Sequence, residues 1–400
     1  PRPPPPPLKK NQPTTPLTPQ LTTIMSPSSD RAQETTLPPV EPIKPSLVTF
    51  TIATPHQRIL SWRLNGASWA SPLTLDQYVG REQTLSETEL SANGGTLYYV
   101  LHHRDDSELV VSACEVTGKK VIIAGPGTDG LKVGNGYAIA SVFTNPRFRN
   151  QGMASYLLRR VQEEVDKRED ECGALYSDIG RVFYTRLGWK DFRTPQLLVG
   201  VEGDAAAFPV PEGVELLNEE QVRKLCEEDV KAVEEEFSKL AAAPDGKTHI
   251  AFLPTPTQFS WHFARDGYVC PILRNREVQW RGARTRDGLA WIAWDHDLRE
   301  KKLKILRIMS RHLAGEKKEA VKKLLLAAMA EARDWDVPKV LVWEPSEEVS
   351  VAVTEIWREL GPKVSLVFEE REDGSIPSLR WQNGEDVEGV WHHNEYYAWC

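Results

Sequence analysis

The sequence predicts an α/β protein of the α+β kind: a mixed central sheet in the first half, followed by a second unit of similar order. Three observations carry this. Strand-like runs, a long amphipathic helix, another strand and a short helix follow one another between residues 96 and 189. The helix is entered directly from a strand that stops at a proline, in "SVFTNPRFRNQGMASYLLRRV", residues 141–161. The order strand, helix, strand, helix then returns between 301 and 360 without any visible identity of residues.

The bulk composition agrees. A chain of 400 residues exceeds what one ordinary core needs, which predicts two domains. The hydrophobic share of 40% and charged share of 26% are those of a soluble globular protein, as is the mean hydropathy of −0.43. A net charge of −8 excludes a nucleic-acid partner gripped mainly through its phosphates. Five cysteines, an odd number with no C-x-x-C or zinc spacing, read as reduced thiols in the cytoplasm and no metal. No apolar run approaches the ~18 residues that span a bilayer, so no membrane partner is expected.

In chain order, residues 1–46 are rich in Pro, Ser and Thr and read as a disordered tail. The alternative is an SH3 or WW ligand in the polyproline run. Met25 opens an ordinary-looking start, which would make the 24 residues before it an upstream extension. "SLVTFTIAT" (46–54) alternates as a strand, and 56–92 suits helices broken at Ser71-Pro72. Strands follow at 96–104 and 108–116, with 119–125 a further strand or an insertion, and another at 136–144. A helix over 152–168 carries Met153, Leu157, Val161 and Val165 on one face. Residues 173–180 form a strand and 181–189 a short helix closed by Gly188. The pattern loosens at 201–215, the expected linker between a domain at 47–200 and another at 216–400. The second contains an acidic helix (218–241), strands at 289–297 and 301–309, a helix at 316–334, a strand at 339–345 and a helix at 347–360.

The segment between strand and helix has the chemistry of an anion site. A helix N-terminus offers unpaired amides and a partial positive charge, and a turn of N–H groups leading into it cradles phosphate. Arg149 and Gln151 add side-chain donors, Gly152 admits close approach, and Ala154 keeps the next position small. The alternative is that Arg149 and Gln151 merely cap and solvate a helix start.

The spacing R-x-x-G-x-A of Arg149 to Ala154 resembles the signature of the GNAT acetyltransferases, Arg/Gln-x-x-Gly-x-Gly/Ala. The segment "YSDIGRVFYTRLGW" resembles that family's Asn-x-x-Ala-x-x-x-Tyr-x-x-x-Gly-Phe, with Ser177, Gly180, Tyr184, Gly188 and Trp189 at the matching positions. Ser177 for Asn is a departure that loses the amide's paired donor and acceptor. "WASPLTLDQYVGRE", "SACEV", "ASVFT" and "YSDIGRVFYTRLGWKDF" together resemble the fungal lysine N-acetyltransferases, across about a third of the chain.

The resemblance implies a GNAT fold; the returning element order, with no R-x-x-G-x-A opening a helix in the second half, reads as a degenerate GNAT-like domain that shapes the acceptor pocket without binding CoA. The resemblance implies acetyl-CoA as co-substrate, with Val142, Phe143, Thr144, Arg149, Asn150, Gln151, Gly152, Met153, Ala154, Ser177 and Tyr184 against it. It also implies a small amine as acceptor, foremost the ε-amino group of free L-lysine, and direct transfer in a ternary complex. Tyr184 would protonate the departing thiolate, the two pKa values being close, or be a core aromatic. A protein or histone acetyltransferase and a non-catalytic acyl-CoA-binding module are the rival functions.

An ammonium must lose a proton before it attacks a thioester. Glu115, in an otherwise apolar strand, is the candidate base; it would equally bind the substrate ammonium or pair with Arg63. Asp178 is a second carboxylate for the acceptor or a turn residue. Cys400 would bring a chain-terminal carboxylate to the site if "NEYYAWC" is tucked inside; the alternative is an edge strand. His392 and His393, adjacent on a strand, point to opposite faces and so form no metal cluster.

Overall fold

Each element of the first half is started by local chemistry and fixed by the sheet it joins. The computed structural model describes residues 42–126, 130–243, 245–311 and 314–399; residues 1–41 and Cys400 lie outside the described residues, and with them nearly all of the expected tail. Strand β1 (Val48–Ile52) leads to helices α1 (Pro55–Trp69) and α2 (Leu75–Ser86). Both helices open on a reciprocal capping box, Thr54 with Gln57 and Thr74 with Gln77. An antiparallel meander follows: β2 (Thr96–His103), β3 (Asp106–Gly125) and β4 (Gly130–Thr144). Helix α3 (Met153–Val165) then crosses over to β5 (Asp170–Ser177), parallel to β4, as a parallel pair requires. Helix α4 (Val182–Thr185) and β6 (Lys190–Asp191) complete the segment.

The two strands expected at 108–116 and 119–125 are one. β3 runs through because it changes partners: β2 flanks it as far as Thr117, and a later strand takes over from Val121. Val121, Ile122, Ile123 and Ala124 are buried on both faces, which favours extended backbone over a loop.

The second half comprises β7 (Pro195–Val201), β8 (Val214–Leu217), α5 (Glu219–Ala242), β9 (Thr248–Phe252), α6 (Pro256–Arg274) and β10 (Gly282–Thr285). It continues with β11 (Ala290–Asp297), β12 (Lys302–Ser310), α7 (Ala314–Asp334), β13 (Lys339–Trp343) and α8 (Glu347–Leu360). Strands β14 (Val364–Glu370), β15 (Ile376–Trp381) and β16 (Gly389–Trp391) end it.

Residues 41–400 form one compact unit with two sheets. The first is ordered β1-β2-β3-β4-β5-β15-β6, with β9 against the far half of β3 and β16 against β9. The second is ordered β14-β7-β13-β12-β11-β10-β8. The sheets therefore do not divide at the expected linker, 201–215. β7 has already left for the second sheet, while β9, β15 and β16 return to the first. Between the sheets lies a shared core in which Val121, Leu379 and Phe252 pack with Trp291, Leu341 and Tyr397. Arg380 on β15 grips Asp166 at the end of α3 with two parallel bonds of 2.7 and 2.6 Å.

Helix α6 has no counterpart in the sequence reading. Its buried face includes His262 and Asp266 beside Phe259 and Phe263, and Pro271 sits inside it, so its apolar period is masked. Those polar groups are satisfied in the interior: Asp266 accepts from the His296 amide at 2.9 Å, and His262 bonds the Tyr397 carbonyl at 3.1 Å. The end of the chain is no edge strand. Tyr396–Ala398 is a buried turn, with the Tyr397 hydroxyl donating to the Phe252 carbonyl at 2.7 Å.

Because β5 depends on β15 for its outer partner, a fragment ending at residue 201 should not fold alone. Expressed without the remainder it is expected to lack cooperative thermal unfolding by circular dichroism, and co-expression with 202–400 should restore it. Cooperative melting of the isolated fragment would contradict this account.

Candidate functional site

The site begins where two parallel strands part. β4 and β5 pair from Asn135/Asp170 to Ile139/Leu175 and no further. Opposite, on β3, Ala113 faces Phe143 and Glu115 faces Ala140, so Ser141 and Val142 stand against Cys114 alone. This is a bulge, and Ser141 adopts the left-handed conformation it requires, at φ 53°. The extra residue bends β4 away from β5 and leaves its edge, Ala140 to Thr144, open toward the fork. Val142, Phe143 and Thr144 thus lie where a ligand's backbone contacts would be made. The Phe143 carbonyl already accepts from Ser112 Oγ at 2.9 Å.

Beyond the fork the loop folds onto the start of α3. Asn150 at φ 60° and Gly152 at φ 78° are both left-handed. Gly152 is the N-cap, with no side-chain cap and no acidic residue in the first turn. A Cβ there would meet no atom within 4 Å, so the glycine serves the turn and not close packing. Arg149 lies over the Phe143 ring at 5.3 Å and donates to the Thr144 carbonyl at 3.3 Å. Met153 is buried and anchors the helix, while Ala154 is half-buried. Gln151 differs from expectation: its carbonyl oxygen accepts from the Ile43 amide at 2.6 Å, so it ties the loop to the chain before β1. Uncapped amides, an arginine and no carboxylate fit a pyrophosphate.

On the other arm, Ser177 is a turn residue. Its buried hydroxyl donates to the Gly180 carbonyl at 2.7 Å and accepts from the Ile179 amide, which leaves it no donor for a ligand. Asp178 accepts from the Ser375 amide at 2.8 Å, joining the end of β5 to the start of β15. Tyr184, on α4, is buried at 7% exposure, and its hydroxyl has no hydrogen-bond partner among the described residues. Burial, with Cys114 and Asp178 nearby, holds its pKa well above the usual tyrosine value, so the hydroxyl stays protonated.

A cavity of about 340 Å³ adjoins the fork and is walled from both halves of the chain. Glu115, Ser141 and Asp178 line it from the first sheet, and Arg265, Lys304 and Trp399 from the second half. Arg63 does not pair with Glu115; it bonds Asp76 at 2.7 Å. Glu115 instead accepts from the Trp62 indole at 3.3 Å and from the Ser141 side chain. Burial, and then the neighbouring carboxylate of Glu82, push its pKa from 4.5 up to about 8. The sequence reading missed Glu82. Its signal was a glutamate on the buried face of α2, in register with Tyr78 and Leu85. Arg265, on the unrecognised α6, had no such signal. Cys400 lies outside the described residues. His392 and His393 lie just beyond the end of β16 rather than on it, with their rings 6.3 Å apart; the first bonds His249 at 2.8 Å and the second Glu236 at 3.0 Å.

The raised pKa of Glu115 has a stability consequence. Between pH 4.5 and about 8 the folded protein keeps a proton that the unfolded chain has released. Stability therefore falls with rising pH across that window relative to Glu115→Gln. Urea unfolding of both proteins at pH 5, 7 and 9 should show a gap that widens in favour of the variant; a constant gap would remove the buried carboxylate as its cause.

Comparison with known proteins bears on the family and the fold. Residues 201–400 match the family model of the LYC1 GNAT-like C-terminal domain. An uncharacterized protein of Saccharomyces cerevisiae is 25% identical over 394 residues, spanning 84% of this chain and 93% of the yeast one. A conserved Enterococcus faecalis V583 protein, described as a probable N-acyltransferase, superposes with a TM-score of 0.52 at 11% identity, over 84% of this chain and 72% of its own. A GCN5-related N-acetyltransferase from Kribbella flavida does so with a TM-score of 0.47 at 14% identity, over 84% and 71%. With half its length matched by that model, and both sheets in a fold shared with N-acyltransferases, the chain belongs to the LYC1-like GNAT family.

Proposed function

We propose that the protein transfers the acetyl group of acetyl-CoA to the amine of a small molecule, most specifically the ε-amino group of free L-lysine. The observation that carries this is Glu115: a carboxylate with no ion-pair partner among the described residues, lining a walled cavity at the β4/β5 fork. At about 340 Å³ the cavity lies in the range of small-molecule sites, roughly 300–1,000 Å³. Walls of Trp261, Arg265, Tyr396 and Trp399 favour a small acceptor over a protein-borne lysine, which needs an open groove.

In this reading the first half of the chain is catalytic, and the second shapes the acceptor cavity without binding CoA. Acetyl-CoA supplies the thioester, its pyrophosphate suited to the amides and Arg149 at the start of α3. The edge of β4 from Val142 to Thr144 orients it. Glu115 takes one proton from the acceptor ammonium, leaving a nitrogen lone pair free to attack. The Tyr184 hydroxyl gives its proton to the departing sulfur. No CoA contact is assigned to Ser177, whose hydroxyl is committed to its own turn.

The test is CoA release, followed with a thiol reagent, from acetyl-CoA and a panel of free amines headed by L-lysine. Saturable release with lysine and an acetyl-lysine product by mass are expected. Release with another amine only would discard lysine, and acetylation of peptides but not free amines would favour the protein-directed rival. Acetyl-CoA binding without release throughout would leave a binding module.

Two variants test the residues. Tyr184→Phe should lower kcat by about 10²-fold or more with acetyl-CoA affinity unchanged, since only the proton donor is lost. A base must be deprotonated to act, so wild-type kcat/KM should rise with pH toward a plateau above about 8. Glu115→Gln should abolish that limb along with most turnover; a limb that survives would assign the base elsewhere.

A further inference from the structure

Among the buried or half-buried guanidinium groups of the second half, one is left without a hydrogen bond. Arg281 is bound by Asp266, and Arg307 by Asp229 at 2.8 and 3.1 Å. Arg265, on α6, lines the cavity with its side chain only 15% exposed, and its nearest carboxylate is Asp297 at 3.8 Å. That carboxylate is already engaged by Lys304 at 2.6 Å and by the Glu300 amide at 2.9 Å. Arg265 makes no hydrogen bond among the described residues; it rests against the face of Trp399, 5.6 Å from the ring centre. Five fixed N–H donors thus border the cavity with no acceptor among the described residues at hydrogen-bond distance.

The other charges on the cavity wall are largely matched. Arg81 bonds Glu82 at 2.9 Å, Lys304 is held between Asp297 and Glu300, and Asp178 is capped by an amide. What remains without a hydrogen-bonded counter-charge is a carboxylate at Glu115 and a guanidinium at Arg265, whose one ion pair among the described residues is the 3.8 Å contact with Asp297. Both line the same cavity of about 340 Å³. A ligand that satisfies both carries an amine and a carboxylate on the same small skeleton. A diamine leaves the guanidinium's N–H donors desolvated and without a hydrogen bond, at a cost of several-fold to many-fold in affinity.

We infer that Arg265 is the specificity-determining residue of the acceptor site: it binds the carboxylate of an amino-acid acceptor and so selects amino acids over simple amines. This rests on the transferase reading above and deepens it. A planar fork matches a carboxylate with two parallel bonds, which an ammonium cannot reproduce.

The test compares each amino acid with its decarboxylated partner, L-lysine against cadaverine and L-ornithine against putrescine, as acceptors for the full chain. Wild type should prefer the amino acid in kcat/KM. Arg265→Met should reduce that ratio about tenfold or more, chiefly through KM for the amino acid, and Arg265→Lys should recover part of it. Equal losses on both members of a pair, or an unchanged ratio in a variant that melts as wild type does, would overturn the assignment. If wild type releases no CoA with any acceptor, the transferase reading falls, and calorimetry still decides on Arg265. Binding of L-lysine over cadaverine that Arg265→Met abolishes supports the role; equal binding of the two, or no binding of either, refutes it.

Discussion

The pairing of β15 with β5 is the interaction on which the site depends. Six residues near the end of the chain, Ile376 to Trp381, lie antiparallel to Cys172–Ser177 and separate that strand from β6. The register sets Ser375 beside Asp178 at one end, while Arg380 is locked onto Asp166 at the other. Because β15 is covalently followed by the turn at Tyr396–Ala398, the same pairing draws aromatic residues into the space between the sheets. One wall of the cavity beside the β4/β5 fork is thus a consequence of where a strand found its partner.

The fold uses its central device twice. In the second sheet β12 and β13 pair only at Leu303/Val340 and Lys304/Leu341 before parting, and β12 bulges between Arg307 and Ile305, opposite Ala293 and Trp294. A backbone fork and a bulge therefore recur without shared residue identity. The difference is in side chains. The first fork is bordered by open backbone and a half-buried carboxylate, while the second carries Arg307 bound by Asp229 and Glu395. α8, in the place of α4, contains no tyrosine. A guanidinium held by two carboxylates in one fork and one without a hydrogen bond at the cavity of the other are opposite uses of the same residue type.

Much of the first half was legible because its signals are local. The helix period of α3 and the turn from Arg149 to Ala154 act within a few residues, and Tyr184 is singled out by the family motif that its segment resembles. What escaped depends on distant partners. The extension of β3 is stabilised by β9, more than a hundred residues away in the chain, and α6 hides its period behind His262 and Asp266, whose partners come from other elements. Ser177 and Gln151 were read correctly as polar but assigned to a ligand, whereas their partners are nearby backbone. Glu115 was singled out for being costly to bury, and the same reasoning applied to Glu82 on α2 finds its neighbour. Arg265 was beyond reach, since nothing local marks an arginine whose acceptor is missing.

The return of β15 to the first sheet also orders events during synthesis. Roughly 200 residues separate Ser177 from Ile376, so at about 5–20 residues per second β5 waits about 10–40 s for its neighbour. Throughout that interval the nascent chain carries an open strand edge, a template for pairing with other chains. The half that holds Tyr184 and the loop from Arg149 to Ala154 is translated first yet completed last. A ribosome stalled beyond the helices of the second half would display a nearly whole protein with its most adhesive surface still bare.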